Sequence, residues 1–238
     1  MEKYIAFIPV RGGSKSIPLK NIRPFCGRPL VYWTAKAASD CAAIGHVYVA
    51  TDDARIADVV RGLMLPRVEV VARGAETATD TASTESAMRE FARAHDFENI
   101  VLVQATSPLL TADDLAGGIA AFEAGGYDSL LSVVRQKRFV WREADGGASP
   151  VNYDPQLRPR RQEMTGFFVE NGAFYLTSRV RLLETASRLS GRIGVYEMPE
   201  ATYFEIDEPS DWVIMEHLKR QASGCGTDKI SEERHDEK

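Results

Sequence analysis

The sequence predicts an α/β fold in three layers, with helices on both faces of a mostly parallel sheet. Short apolar runs recur along the chain at intervals that leave room for a helix. These runs are rich in branched residues, as strands covered on both faces require. Two of the intervening segments carry apolar residues at helical spacing. Strand and helix alternating in this way are typical of a parallel sheet flanked by helices.

The elements follow one another in a regular order. Predicted strands occupy 4–10, 46–50, 68–72, 100–104, 129–134, 173–177 and 193–197. The helical pattern is clearest in Leu30, Trp33, Thr34 and Ala37, in Leu115, Ile119 and Phe122 after a cap at Thr111–Asp114, over 178–190, and from Pro209 onward.

The segment from about 135 to 170 interrupts this order. It contains a turn at Gly146-Gly147 and no clear strand and helix period, so we interpret it as an arm inserted into a single domain of residues 1–221. Its basic residues are Arg135, Lys137, Arg138, Arg142, Arg158, Arg160 and Arg161. Residues 222–238 are polar, charged and aperiodic, which predicts a disordered tail.

Composition limits the class of protein. A chain of 238 residues with 44% hydrophobic residues and a net charge of −5 suits one globular domain and not the coating of a nucleic acid. No apolar stretch reaches membrane-spanning length. We therefore expect neither a nucleic acid nor a membrane as partner. Three scattered cysteines and the absence of a secretion-signal pattern predict a cytoplasmic protein.

The loop after the first predicted strand is the most informative segment. Residues 10–21 read Val-Arg-Gly-Gly-Ser-Lys-Ser-Ile-Pro-Leu-Lys-Asn. Open parallel sheets bind ligands beyond the carboxyl ends of their strands, where glycine amides and lysines suit phosphate groups. The loop matches neither the common ATPase pattern nor the dinucleotide fingerprint. It predicts a phosphate-binding loop, and the alternative is a turn that carries solvated lysines.

Several stretches together give the chain a resemblance to a known family. The first loop is followed in order by Thr51-Asp52, Asp80–Ser83, Leu102–Leu109, Asn171–Tyr175 and Glu205–Asp207. In order and approximate spacing, these stretches resemble the acylneuraminate cytidylyltransferases, which make CMP-sialic acids. The resemblance spans about residues 4 to 220. It implies a Rossmann-like nucleotidyltransferase fold, a homodimer, and an arm that reaches across to the partner's site.

The resemblance also implies which residues hold CTP. Arg11, Lys20 and Asp207 are the catalytic candidates. The nucleotide-binding candidates are Arg11, Gly12, Gly13, Ser14, Lys15, Lys20, Asn21, Arg73, Asp80 and Thr84. Asn21 has the alternative of capping a turn, and Arg73 that of a solvated surface charge.

An acidic pair near the last helix is the candidate metal site. Glu205 and Asp207 are two residues apart and would share one face of a strand. Oxygen ligands of this kind hold Mg²⁺ while it also binds substrate phosphates. The family usually has aspartate at both positions, so the departure at Glu205 bears on whether this residue binds metal directly. The alternative for Asp207 is a cap of the following helix.

The sugar-binding candidates come from the later matches and the arm. They are Gln104, Thr106, Arg161, Asn171, Gly172 and Tyr175. A guanidinium on the arm would pair with a substrate carboxylate, and a solvated basic face is the alternative. Near Val140 the chain lacks a basic residue of the family, which leaves Arg138 or Arg142 for that contact. Gln104 has the alternative of satisfying its own loop, and Asn171, Gly172 and Tyr175 that of an ordinary strand entry.

The reaction implied by the resemblance is CTP plus a nine-carbon 2-keto-3-deoxy sugar acid giving a CMP-sugar and pyrophosphate. Mg²⁺ is the expected cofactor, and N-acetylneuraminic acid, its hydroxyl analogue KDN and bacterial relatives all remain open as the acid. Two other functions stay open. One is synthesis of CMP-Kdo from an eight-carbon acid, and the other is a non-catalytic nucleotide-sugar sensor.

Overall fold

The computed structural model describes residues 1–13, 16–144 and 146–222. In chain order its helices and strands are β1 (Glu2–Pro9), β2 (Pro24–Phe25), β3 (Arg28–Pro29), α1 (Leu30–Asp40), β4 (His46–Thr51), α2 (Ala54–Gly62), β5 (Val68–Ala72), α3 (Thr84–Ala94), β6 (Phe97–Val103), α4 (Ala112–Gly125), β7 (Ser129–Gln136), β8 (Trp141–Ala144), β9 (Gly147–Pro150), β10 (Phe167–Ser178), α5 (Arg179–Thr185), β11 (Ile193–Met198) and α6 (Pro209–Ala222).

The main sheet is mostly parallel, as the sequence predicts. Within the described ranges it has seven strands in the order β11-β7-β10-β6-β1-β4-β5. β1 pairs in parallel with β4 and β6, β4 with β5, and β11 with β7. β10 is antiparallel to both of its neighbours. Helices pack through separate apolar clusters on the two faces of the sheet, so the predicted three-layer fold is confirmed.

The predicted element boundaries differ from the structure mainly around the arm. β7 continues to Gln136 and β10 begins at Phe167, so the irregular segment is 137–166, shorter than the expected 135–170. It contains the β8–β9 hairpin. The helix predicted over 178–190 ends at Thr185, because Ala186 takes the left-handed conformation with φ 56°.

The last helix of the described chain includes Ala222, which the sequence assigns to the tail. The remainder of the predicted tail, 223–238, lies outside the described residues. Among the described helices, none combines the length and the apolar character needed to cross a bilayer.

Side-chain caps fix where the helices begin. Thr111 and Asp114 form the predicted capping box at the start of α4, and Ser83 accepts a hydrogen bond from the Ser86 amide at the start of α3. Asp53 caps α2 by accepting from the amides of Arg55 and Ile56. These three caps all follow parallel strands or the loops that leave them, so α2, α3 and α4 begin at the same edge of the sheet.

The connectivity places a crevice at that edge. The chain passes from β1 to β4 and β5 on one side and then returns to β6 on the other side of β1. The loops after β1 and β6 therefore diverge, which is the usual site of ligand binding in open α/β sheets.

We predict that Asp53→Ala lowers the free energy of unfolding by about 1 kcal/mol at neutral pH, because α2 loses its cap. Hydrogen bonds from Arg55 hold the pKa of Asp53 down at about 2. A lowered carboxyl pKa contributes stability above the unfolded pKa of about 4 and loses it as the pH falls through the folded value.

The matched control is Asp53→Asn, which keeps the acceptor and removes the titration. Chemical denaturation at pH 7 and near pH 2 checks both variants. The Asp53→Ala deficit must shrink on acidification, and a deficit that is equal at the two pH values contradicts the assignment of the cap to the ionised carboxylate.

Candidate active site

A cleft of about 560 Å³ opens at the carboxyl edge of the sheet. Its lining residues are Pro9, Arg11, Gly13, Ser16, Lys20, Asn21, Arg73, Asp80, Ala82, Thr84, Gln104, Ala105, Thr106, Asp207 and Glu208. The cleft thus brings together the loop after β1, the loop after β5, the loop after β6 and the segment that enters α6. Most of the predicted nucleotide-binding residues lie on its wall.

The first loop folds back along the end of β1. The Gly12 amide donates to Asp52 Oδ1 at 3.0 Å. A Cβ atom at position 12 would come within 2.6 Å of Asp53 Oδ2, so the close approach requires glycine. Asn21 is buried and donates from Nδ2 to the Arg11 carbonyl at 3.4 Å, which ties the end of the loop to its start. Ser14 and Lys15 lie outside the described residues.

Lys20 connects this loop to the entry of α6. Its Nζ donates to the Ile206 carbonyl at 2.7 Å and lies 3.1 Å from Asp207 Oδ1. The lysine side chain is only 13% exposed, whereas that of Asp207 is 61% exposed. An ammonium with so little exposure to water needs such partners. Lys20 therefore holds the acidic segment, residues 205–207, against the loop that follows β1.

The alternative role of Asp207 as a helix cap is not what the structure shows. Asp211 supplies the cap, because its Oδ2 accepts from the amides of Asp207 and Glu208 at 3.0 and 2.7 Å. The Asp207 carboxylate is thereby left beside Lys20 on the wall of the cleft. Residues 204–207 belong to no described strand, in contrast to the expectation that Glu205 and Asp207 share one face of a strand.

Two arginines add positive charge to the same cleft. Arg11 forms an ion pair with Asp80, with Nη1 2.7 Å from Oδ1. Arg73 is half-buried and donates from Nη2 to the Thr77 carbonyl. Its Nε is buried without a hydrogen-bond partner among the described residues. Burial lowers the pKa of Arg73, so this side chain is not the solvated surface charge that the sequence left open.

Glu205 contacts the loop that follows β6. Its Oε2 accepts long hydrogen bonds of 3.4 Å from Gln104 Nε2 and Thr106 Oγ1. Burial raises the pKa of Glu205, and the nearby Asp207 carboxylate raises it further. Gln104 therefore contacts an acidic group across the chain and does not merely satisfy its own loop.

Gly172 makes this contact possible. It takes φ 65°, and a Cβ atom there would lie 2.6 Å from Gln104 Nε2 and 2.8 Å from Glu205 Oε2. The left-handed conformation favours glycine, and a Cβ atom would in addition displace the ends of the Gln104 and Glu205 side chains. The sequence pattern at 171–175 therefore reflects a close approach of β10 to the acidic segment.

The neighbouring candidates on β10 lie away from the cleft wall. Asn171 is buried and donates from Nδ2 to the carbonyl and hydroxyl of Thr202 at 3.2 and 3.1 Å. The Tyr175 hydroxyl donates to Glu170 Oε2 at 2.9 Å. Burial raises the pKa of Tyr175, and its bond to Glu170 raises it further.

Arg161 does not lie on the wall of the cleft within its own chain. It is exposed on the arm, 3.5 Å from Glu200. The structure thus separates it from Gln104 and Thr106, with which the sequence groups it. No group of three or more His, Cys, Asp or Glu residues is arranged as a metal site in the described part of the chain.

Some cleft residues were not singled out from the sequence. Ser16 Oγ donates to Glu208 Oε1 at 3.1 Å, which is a second connection between the first loop and the entry of α6. Asp52 is not on the cleft wall and belongs to the Thr51-Asp52 match without an assigned role; it accepts from the Gly12 amide. Glu208 carried no comparable signal, because its role depends on a contact between residues 192 positions apart.

Comparison with known families agrees with this geometry. The family model described as cytidylyltransferase matches residues 5–233. The chain is 37% identical over 229 residues to N-acylneuraminate cytidylyltransferase A of Danio rerio, covering 94% of this chain and 52% of the relative. It is 35% identical to N-acylneuraminate cytidylyltransferase of Oncorhynchus mykiss, with the same coverage. The chain spans about half the length of these curated relatives.

Solved structures share the fold at low sequence identity. A CMP:2-keto-3-deoxy-manno-octonic acid synthetase complexed with CTP superposes with a TM-score of 0.68 and 18% identity, covering 92% of this chain and 99% of the other. A 4-diphosphocytidyl-2C-methyl-D-erythritol synthase gives 0.68 and 15%, with the same coverage.

We predict that Gly172→Ala destabilises the protein by more than the roughly 1–2 kcal/mol that the left-handed conformation costs a residue with a Cβ atom. The added methyl group must also displace Gln104 or Glu205. Gly126→Ala is the matched control, since Gly126 has φ 56° and nothing within 4 Å of its ideal Cβ.

The free energies of unfolding of both variants, measured with urea, test this expectation. Equal losses for the two variants would show that the approach of β10 to Glu205 imposes no constraint.

Proposed function

The chain belongs to the cytidylyltransferase family, and from that premise we propose that it transfers CMP from CTP to a nine-carbon 2-keto-3-deoxy sugar acid, of sialic acid or KDN type, with release of pyrophosphate. The vertebrate relatives named N-acylneuraminate cytidylyltransferase support this choice of acid. The proposal includes a cytoplasmic location and a homodimer.

One observation carries the proposal. Three cations from two loops that are distant in sequence lie on the wall of one cleft: Lys20, Arg11 and Arg73. The cleft is at the edge of the sheet where the loops after β1 and β6 diverge. A nucleoside triphosphate carries several negative charges, and fixed cations in a cleft are what its binding requires.

The acidic segment fits a magnesium ion. Glu205 is a half-buried carboxylate whose charge is opposed by that of Asp207, and a bound cation would relieve this repulsion. Mg²⁺ takes few protein ligands and completes its shell with water and substrate phosphates, so two carboxylates suffice. Asp207 and Glu205 would hold the ion. When bound, it would supply charge neutralisation at the phosphates.

Catalysis by this chain would consist chiefly of positioning and electrostatics. The anomeric hydroxyl of the sugar acid attacks the α-phosphorus of CTP, the hydroxyl proton is lost, and pyrophosphate leaves with its bonding electrons. Lys20 and Arg11 would stabilise the negative charge on the phosphates. The remaining nucleotide contacts proposed here are Gly12, Gly13, Ser14, Lys15, Asn21, Arg73, Asp80 and Thr84. No covalent enzyme intermediate is required.

The sugar acid would lie on the β10 side of the nucleotide. Gln104 and Thr106 line that part of the cleft, and Gly172 approaches Gln104. We propose that Asn171 and Tyr175, which lie on β10 behind the cleft wall, position this side of the site. Arg161 would contribute from the partner subunit of a homodimer, because in its own chain it lies outside the cleft.

We predict that wild-type protein releases pyrophosphate from CTP and Mg²⁺ only when a sugar acid is added. Asp207→Asn should lower this rate by about 100-fold or more, since removing one preorganised charged group costs that much. Its melting temperature should stay within a few degrees of wild type, because the carboxylate is mostly exposed.

Asp58→Asn is the control for loss of an exposed carboxylate, since Asp58 pairs with Arg61 on α2. Tight CTP binding without pyrophosphate release from any acid would identify a nucleotide-sugar sensor instead. Release with the eight-carbon acid Kdo alone would identify a CMP-Kdo synthetase.

The placement of Arg161 generates a second prediction. Asp207→Asn and Arg161→Ala should each be nearly inactive alone, but an equimolar mixture of the two after subunit exchange should recover about a quarter of wild-type activity, because about half of the dimers are mixed and each of these has one intact site. In such a dimer one site has its own Asp207 and the partner's intact arm. Full activity of Arg161→Ala alone would mean that the basic arm is a solvated surface.

A further inference from the structure

A polar cluster beside the cleft is absent from the predicted site. Arg188, in the connection from α5 to β11, donates from Nε to Glu85 Oε1 at 2.6 Å. Its guanidinium also lies over the ring of Tyr175, 4.6 Å from the ring centroid. The Tyr175 hydroxyl in turn donates to Glu170. The Arg188 cluster therefore consists of Arg188, Glu85, Tyr175 and Glu170.

The cluster neighbours residues of the proposed sugar side of the cleft, although none of its four members is on the cleft wall itself. Glu85 directly follows Thr84, which lines the cleft. Glu170 and Tyr175 flank Gly172 on β10, and Gly172 approaches Gln104 on the cleft wall. The side chains of Arg188 and Glu85 are 24% and 21% exposed, so this pair is partly open to solvent.

The net charge of the cluster limits which chemical group of a substrate it can bind. The cluster contains one guanidinium and two carboxylates, and the guanidinium pairs with one of them, Glu85. The net charge of the cluster is therefore negative, and an anionic group of the substrate would be repelled. Nε of Arg188 donates to Glu85, and the Nη atoms of the planar guanidinium provide further donors. Such a cluster suits an uncharged substituent with a carbonyl acceptor, namely an acylamino group.

We infer that Arg188 is a specificity-determining residue that donates a hydrogen bond to the acylamino carbonyl of the sugar acid. This inference rests on the proposed function and extends it to the choice between sugar acids. The stack on Tyr175 and the bond to Glu85 hold the guanidinium in place, which reduces the ordering cost when substrate binds. A hydroxyl in place of the acylamino group could instead donate to Glu85 or Glu170.

The test compares kcat/KM for N-acetylneuraminic acid and for KDN at saturating CTP. Arg188→Leu should lower the value for the N-acetyl acid by at least about tenfold, because the carbonyl loses its donor. The value for KDN should fall much less, so the preference shifts toward KDN. The KM for CTP should not change. Arg188→Lys keeps the charge without the planar fork and should shift the preference in the same direction.

Arg192→Leu is the matched control. Arg192 also lies over a tyrosine, 5.0 Å from the Tyr127 ring centroid, and donates to the Gly125 carbonyl at the end of α4. Its loss should leave the preference unchanged. Equal losses for both acids in Arg188→Leu, or an unchanged preference, would overturn the inference.

If Arg188→Leu fails to fold, the preference of Arg188→Lys decides the question in the same way. A wild-type protein that transfers CMP to neither acid overturns the proposed function and the inference with it. Normal transfer by wild type with an unchanged preference in the variants overturns the inference alone.

Discussion

The contacts of the mostly buried Lys20 ammonium with the Ile206 carbonyl and Asp207 are the interaction on which the arrangement of the cleft depends. It joins the loop after the first strand to a segment 186 residues later in the chain. Because a buried lysine must keep its partners, the Ile206 carbonyl and Asp207 are held at the mouth of the first loop. The acidic segment and the first loop therefore face one cleft, which is what the proposed transfer of a nucleotidyl group to a sugar acid requires.

The rest of the structure supports this connection. The Ile206 amide donates to the Thr106 carbonyl at 2.9 Å, so the same segment is also tied to the loop after β6. Asp211 caps the entry of α6, and Trp212 packs beside Phe25 with ring centroids 5.6 Å apart. Lys219 donates to the Pro108 carbonyl. The last helix thus positions Asp207 by contacts along its length, and not by the acidic residues alone.

The sequence predicts the local parts of this account better than the long-range ones. The β5 strand and the Thr111 capping box depend on neighbours in sequence, and both are found as expected. The entry of β10 at Phe167 was missed, because strand pairing with β7 extends it beyond its apolar run. Arg188 gave no signal, since its stack on Tyr175 arises only in the folded chain. The roles of the candidate site residues remain predictions from resemblance, and the fold explains why those on the cleft wall lie together.

Calorimetric titration with CTP in the presence of Mg²⁺ tests the central claim most directly. The account predicts that Lys20→Ala weakens CTP binding by at least about tenfold, because a charged hydrogen bond is lost and the acidic segment is released. Lys36→Ala should bind CTP as wild type does, since Lys36 is exposed on α1 and pairs with Asp40. Unchanged affinity in a folded Lys20→Ala protein would contradict the claim that this lysine assembles the nucleotide site.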